Sequence, residues 1–423
     1  MTRSGATAAV ARLAILVAMA SPPAIADDAL PLLVLPAVGL RAADLALVVN
    51  DGDPASVETG SYYAERRRIP PERVIHVRFP AGQPVMSLAD FERVKGVVEA
   101  RAAPDVQALA LAWTLPFRVE CMSVTAAFAL GFDRASCAEG CKPTKPSPYF
   151  ASESHAPWTD LRLRPAMLLA GSDVASVKRL IDRGLRSDER WPTGTAYLVS
   201  TSDGKRNVRA ETYARARRVL SSAYPIAIVD ADELAGRGDV MFYFTGIQRV
   251  TALSSNRFLD GAMGDHLTSL GGVLTGAGQT TALEWLAAGA TGSYGTTSEP
   301  CNFREKFPDI AVAMVHYLGG ESLVEAYWKS LQMPGQGVFV GDPLARPFGG
   351  VRARRSGSEM VFETRSLAPG RYELQAARSN VGPFRPVGSL VVTSYGARRL
   401  AVPAADPRHF RVLQLPELPR MPR

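Results

Sequence analysis

Short, wholly apolar runs alternate along most of this chain with longer segments whose apolar residues recur at helical spacing. LALVV at 45–49 ends in Asn50-Asp51-Gly52-Asp53 and reads as a buried strand entering a loop. Residues 54–67 place Val57, Tyr62, Tyr63 and Ala64 at helical spacing, and Ile69-Pro70-Pro71 stops them. A strand over 74–79, a helix over 88–102 and a strand over 106–113 follow. That order predicts an α/β fold with a mainly parallel sheet flanked by helices. Residues 114–164, rich in Pro, Ser and Cys, break the rhythm. They are too many for a passive connection and predict an excursion over the sheet or a functional loop.

The alternation resumes with strands predicted at 166–170, 196–199, 241–244, 290–294 and 338–340. Helices are predicted at 174–183, 210–221, 279–287, 310–317 and 323–330. After Gly349-Gly350 the pattern becomes short strands at 359–363, 370–376, 389–393 and 409–413, separated by turn residues. This predicts a small all-β, sandwich-like module over 350–423. The two α/β stretches, 27–165 with its Cys/Pro-rich loop and 166–349, are read as subdomains.

Composition adds compartment. Arg3 and Arg12, the apolar core at 13–20 and Ala24-Ile25-Ala26 have the layout of a secretory signal peptide over 1–26. The core is too short to cross a bilayer, and no later segment is long and apolar enough, so no membrane span is expected. The mature chain is expected to be secreted or periplasmic. At 47% hydrophobic and 21% charged residues the chain has ordinary globular composition. Its net charge of +7 comes from scattered arginines, such as Arg66-Arg67-Arg68 and Arg217-Arg218. These do not interleave with aromatics, so no nucleic-acid partner is predicted. Neither a P-loop nor a G-x-S-x-G motif occurs, and no cofactor is predicted.

Four cysteines in an oxidising compartment predict disulfides, with three possible connectivities. Cys137 and Cys141 enclose only Ala138-Glu139-Gly140, a spacing that suits a local bridge or a metal. Structural zinc takes four ligands, and neither His nor a second Cys pair lies nearby, so the bridge is preferred. Cys121 is then left to pair with Cys301.

Candidate chemistry concentrates at 239–348. His266 follows Asp265 in a Gly-rich stretch and precedes Thr268-Ser269. A His beside a carboxylate suits a general base, with Cys301 or Ser269 as nucleophile. Amides of Gly246 or of the 261–272 stretch would then hold an oxyanion. The plainer reading makes His266 a structural loop residue and Cys301 a disulfide partner. Glu299, Asp265 and Asp342 offer oxygens for a hard cation. Trp285, Tyr327, Trp328 and Phe303 read as packing residues with polar tips.

Two segments carry a resemblance. VVNDGDPASVETGSYYAERRRIPPERVI at 48–75 is one; GDHLTSLGG, TSEPCNFREKFP, EAYWKS and GDPLARPF within 239–348 form the other. With ALAWTLPFRVECMSVTAAFALGF, they resemble an uncharacterised secreted bacterial family found in species that carry the exosortase sorting system. The resemblance covers roughly residues 44–348. The layout is more distantly similar to the gingipain-type cysteine peptidases, which implies a caspase-like fold. Such peptidases place His-Gly after one central strand and Cys after the next. Here Thr245-Gly246 stands at the first position, and 258–272 has no Cys. The expectation is therefore a divergent relative with a binding or assembly role in the bacterial envelope, taking a protein or peptide ligand. The alternative is a cysteine or serine hydrolase acting on peptide bonds.

Overall fold

The computed structural model describes residues 32–36, 38–137, 141–276, 278–403 and 409–416. The expected leader at 1–26 lies outside the described residues. The described residues open with β1 (Leu32–Val34), β2 (Leu45–Asn50), α1 (Pro54–Arg67), β3 (Val74–Val77), β4 (Val85–Met86), α2 (Leu88–Arg101) and β5 (Ala108–Leu111). Local signals set these bounds. The Asp53 side chain accepts from the amide of Ala55 and Pro54 fills the first turn, while Arg68 ends α1 in a left-handed conformation. Ser87 caps α2 through the amide of Asp90.

The excursion contains β6 (Arg118–Val119), β7 (Met122–Ser123), α3 (Val124–Leu130) and α4 (Pro157–Leu161). Then come β8 (Ala166–Leu168), α5 (Val174–Ser187), β9 (Thr195–Ser200), α6 (Tyr213–Leu220), β10 (Ile226–Asp230), β11 (Val240–Thr245) and β12 (Phe258–His266). The α/β region closes with α7 (Ala282–Ala288), β13 (Gly292–Thr296), α8 (Ile310–Leu318), α9 (Leu323–Lys329) and β14 (Gly337–Gly341).

One ten-stranded sheet runs β10-β9-β11-β12-β13-β14-β8-β5-β2-β3. Every neighbouring pair is parallel except β13 with β14. That single antiparallel seam divides the sheet into two parallel halves running in opposite directions. The carboxyl ends of β2, β3, β5 and β8 therefore lie at one edge. Those of β9, β11, β12 and β13 lie at the other. Parallel strands covered on both faces read as continuous apolar runs, and β2, β5, β8 and β11 are buried throughout.

The C-terminal strands are β15 (Val351–Ser356), β16 (Glu359–Thr364), β17 (Gly370–Ala377), β18 (Arg385–Val392), β19 (Arg398–Pro403) and β20 (His409–Gln414). They form two sheets, β15-β16-β19 and β1-β20-β17-β18, so the first strand among the described residues completes the last module. The sheets share a separate core that includes Leu33, Phe362, Tyr372, Leu400 and Phe410. No helix among the described residues is long and apolar enough to cross a membrane.

Candidate functional site

β12 carries the central chemistry, and its sequence disguises it. FLDGAMGDH lacks an apolar run, yet its last six residues are buried. Gly264 is required because a Cβ there would sit 2.7 Å from the Trp285 ring. Successive side chains of a strand point to opposite faces. Asp265 and His266 are thus sent apart, and Asp265 does not orient the imidazole as the sequence suggested.

Asp265 turns toward the layer of α6 and α8. Its Oδ1 accepts from Arg209 Nη1 at 2.7 Å, and both side chains are buried. Arg209 also donates to the Thr245 carbonyl at 2.8 Å. Burial pushes the Asp265 pKa up, and the guanidinium opposes that shift.

His266 turns toward α7. Its Nδ1 accepts from the Trp285 indole N–H at 3.0 Å. Indole is donor-only, so the imidazole proton resides on Nε2. Nε2 meets no hydrogen-bond partner among the described residues. Burial, reinforced by Arg209 and Arg206, drives the pKa down to about 3. A neutral imidazole whose basic nitrogen is already occupied has no free lone pair for a substrate proton. His266 is a packing residue and not a general base. An unfolded His titrates near 6.5, so the unfolded chain takes up a proton that the folded chain refuses between that value and about 3. Stability held above pH 6.5 is expected to fall on acidification by on the order of 1 kcal/mol per pH unit from this residue. His266→Gln should flatten that part of the denaturation profile; an unchanged slope in urea titrations at pH 4–6.5 would refute it.

The four cysteines form Cys121–Cys137, with Cα atoms 5.2 Å apart, and Cys141–Cys301, with Cα atoms 5.6 Å apart. Both expected pairings, Cys137–Cys141 and Cys121–Cys301, are corrected. The tight 3-10 turn at Arg134–Cys137 packs along β7, which starts directly after Cys121. That docking presents Cys137 to Cys121 and leaves Cys141 for the loop after β13. Cys301 has no thiol, which removes it as a nucleophile; no described cysteine is free.

A cleft of about 420 Å³ opens at the carboxyl edge of β9, β12 and β13. Lys205, Arg206, Leu267, Ser269, Glu299, Asn302 and the Cys141–Cys301 bridge line it. Of the predicted site residues, Ser269 and Cys301 reach this cleft, whereas Asp265 and His266 lie beneath it. Arg206 is braced by Asp203 at 2.9 Å and by Thr268 at 3.2 Å. Glu299 accepts from the amide of Cys301 at 2.7 Å. Lys205 and Arg206 went unnoticed in the sequence because nothing local distinguishes them from the scattered surface cations.

Of the expected oxyanion amides, those of Gly261 and Gly272 are already engaged. Gly261 donates to Thr291 Oγ1 and Gly272 to the Thr296 carbonyl. Gly246 lies so close to the loop after β9 that a Cβ would meet the Arg206 carbonyl oxygen at 2.0 Å. The suggested cation site does not assemble either. Asp342 follows β14, at the opposite edge from Asp265, and is buried against Arg67 and Tyr63. Glu299 faces the cleft. Trp285, Tyr327 and Trp328 are core residues with satisfied polar tips, as expected.

A second cleft, of about 440 Å³, lies at the other edge between the starts of α1 and α5, over Trp113 and Thr114. Its helix amides are taken by their own caps, Asp53 and Asp173. Two carboxylates at the mouth disfavour an anion there.

Fold and cleft together define an α/β protein with a large, mostly parallel sheet, a β-module and no assembled Cys/His pair. Comparison with family models, with curated proteins and with solved structures returned no match.

Proposed function

We propose that this is a secreted, non-catalytic binding protein of divergent caspase- or gingipain-like architecture, with an assembly role in the bacterial envelope. Its ligand site is the cleft beside Lys205 and Arg206. The observation that carries this reading is the Cys141–Cys301 bridge, which turns the candidate nucleophile into a wall of the cleft. The basic pair favours an acidic peptide segment as ligand. Two disulfides suit the oxidising compartment proposed from the leader.

The test is fluorescence anisotropy with acidic and basic peptides of equal length. Acidic peptides should bind preferentially, and Lys205→Glu should weaken them by roughly fivefold, the scale of an exposed ion pair. Equal binding of both peptide classes would overturn the ligand assignment. Ser269 offers a hydroxyl in the cleft and keeps the hydrolase alternative concrete. Peptide turnover that disappears in Ser269→Ala would replace the binding reading with that one.

A further inference from the structure

His155 sits on the excursion, just before α4, and faces the turn that joins α8 to α9. Its Nδ1 stands 3.7 Å from Glu325 Oε1 and 3.8 Å from Glu321 Oε1. The three ligand-type atoms lie within 4.8 Å of one another. Those spacings are too long for direct hydrogen bonds. Yet His155 Nδ1 and Glu325 Oε1 are buried atoms with no hydrogen-bond partner. Tyr149 supplies an independent orphan. Its side chain is fully buried, and its hydroxyl has no partner. Its ring lies 5.2 Å from Lys329 Nζ, and the charges of both glutamates reach its hydroxyl.

Glu325 Oε2 is fully engaged, whereas Glu321 Oε2 has an ion-pair neighbour and no hydrogen bond among the described residues. Glu325 Oε2 accepts from the Leu40 amide at 2.8 Å, from the Ser322 amide at 2.9 Å and from the Ser322 hydroxyl. Glu321 Oε2 meets Lys329 Nζ at 2.9 Å, and its Oε1 meets His316 Nδ1 at 2.8 Å. Glu325 is thus clamped through Oε2 while its Oε1 faces His155, and Glu321 turns its Oε1 to both His316 and His155. Outer partners that fix the direction of a ligand in this way are the usual support of a metal centre.

We propose that His155, Glu321 and Glu325 bind a zinc-type divalent cation. Ligands of a four-coordinate zinc with bonds of about 2.0–2.1 Å stand roughly 3.4 Å apart, a few tenths of an ångström from the two His155 spacings; the glutamate oxygens, within 4.8 Å of each other, would draw together on binding. A bridging water at about 2.8 Å from each partner would spread them to roughly 4.5 Å. An imidazole in the set favours zinc over calcium or magnesium. Lys329 neutralises one glutamate, so the set keeps one net negative charge for the dication. A water completes the fourth position, with the Tyr149 hydroxyl beside it. The cation would clasp the excursion to the α8–α9 turn and, through Glu325 and Leu40, to the segment before β2. This site is remote from the reading of the Lys205 cleft and stands without it.

The test uses the full mature chain, freed of metal with a chelator and titrated with Zn²⁺ by calorimetry. One Zn²⁺ per chain is expected. His155→Ala, on a partly exposed loop residue, should weaken binding by at least about tenfold. His76→Ala, at an exposed His on β3, should leave it unchanged. Absence of stoichiometric binding, or wild-type affinity in His155→Ala, overturns the proposal. Should His155→Ala lose its native circular dichroism, the Co²⁺ absorption spectrum of the unaltered chain decides. Visible bands of a low-coordinate nitrogen and oxygen site support the proposal; a spectrum of free aqueous Co²⁺ overturns it.

Discussion

Arg209→Met is expected to destabilise the protein by about 3–5 kcal/mol at neutral pH, the cost of leaving one member of a buried ion pair alone. Arg209 is 3% exposed and Asp265 is wholly buried. The guanidinium joins Asp265 Oδ1 to the Thr245 carbonyl, so it ties β11 to β12 at the floor of the cleft. Asp265 Oδ2 has no other partner to fall back on. Without Arg209, burial alone governs Asp265 and raises its pKa further. A carboxyl whose folded pKa lies above its unfolded value is penalised at high pH and relieved at low pH. The loss in Arg209→Met should therefore shrink as pH falls toward 4. A paired Arg209→Met/Asp265→Leu change should recover most of the stability, since two apolar side chains leave no orphaned charge. Urea unfolding at pH 7 and pH 4.5 checks all three statements. A loss below 1 kcal/mol at pH 7 would show that water reaches the pair.

Removal of the Cys141–Cys301 bridge, as Cys141→Ala/Cys301→Ala, should cost about 5 kcal/mol; removal of Cys121–Cys137 should cost about 3 kcal/mol. The order follows from the loops closed. The first bridge spans a sequence separation of 160 and the second a separation of 16. The longer closure restrains the unfolded chain more. The first bridge also holds the excursion against the loop after β13, assisted by Lys306, whose Nζ donates to the Lys142 carbonyl at 2.8 Å. Burial pulls the Lys306 pKa down to about 8, and the Glu299 charge offsets part of that fall. Loss of the bridge should loosen this corner and weaken the proposed peptide binding together with stability. Unfolding midpoints of the two double variants provide the comparison, and the reverse order would contradict the loop argument.

The strands that pack on both faces were legible because their physics is local. LALVV, the run ending in Trp113 and VMFYF are apolar throughout, and nothing else suits a two-sided burial. The helices were legible through spacing and stops, as with α1 between Asp53 and Ile69-Pro70-Pro71. β12 was not legible. Its two glycines and two aspartates argue against a strand, and two partners distant in sequence overrule them. Trp285 fills the space above Gly264, and Arg209 compensates Asp265. β10, an edge strand, was missed because IAIVD is only partly buried. Ser269, read as a possible nucleophile, lines the cleft, whereas His266 was assigned to a loop because its strand was not recognised.

By itself the sequence determined the α/β alternation and the change to a β-module after Gly350. Each of those depends on residue types and their spacing along one segment. The tertiary structure alone decided the cysteine pairing, the opposite directions of the two half-sheets, the neutral buried state of His266 and the meeting of His155 with Glu321 and Glu325. Each of these depends on which distant segments share a low-dielectric space. Burial sets the charge of a side chain and the reach of a bridge, and burial is a property of the packed chain.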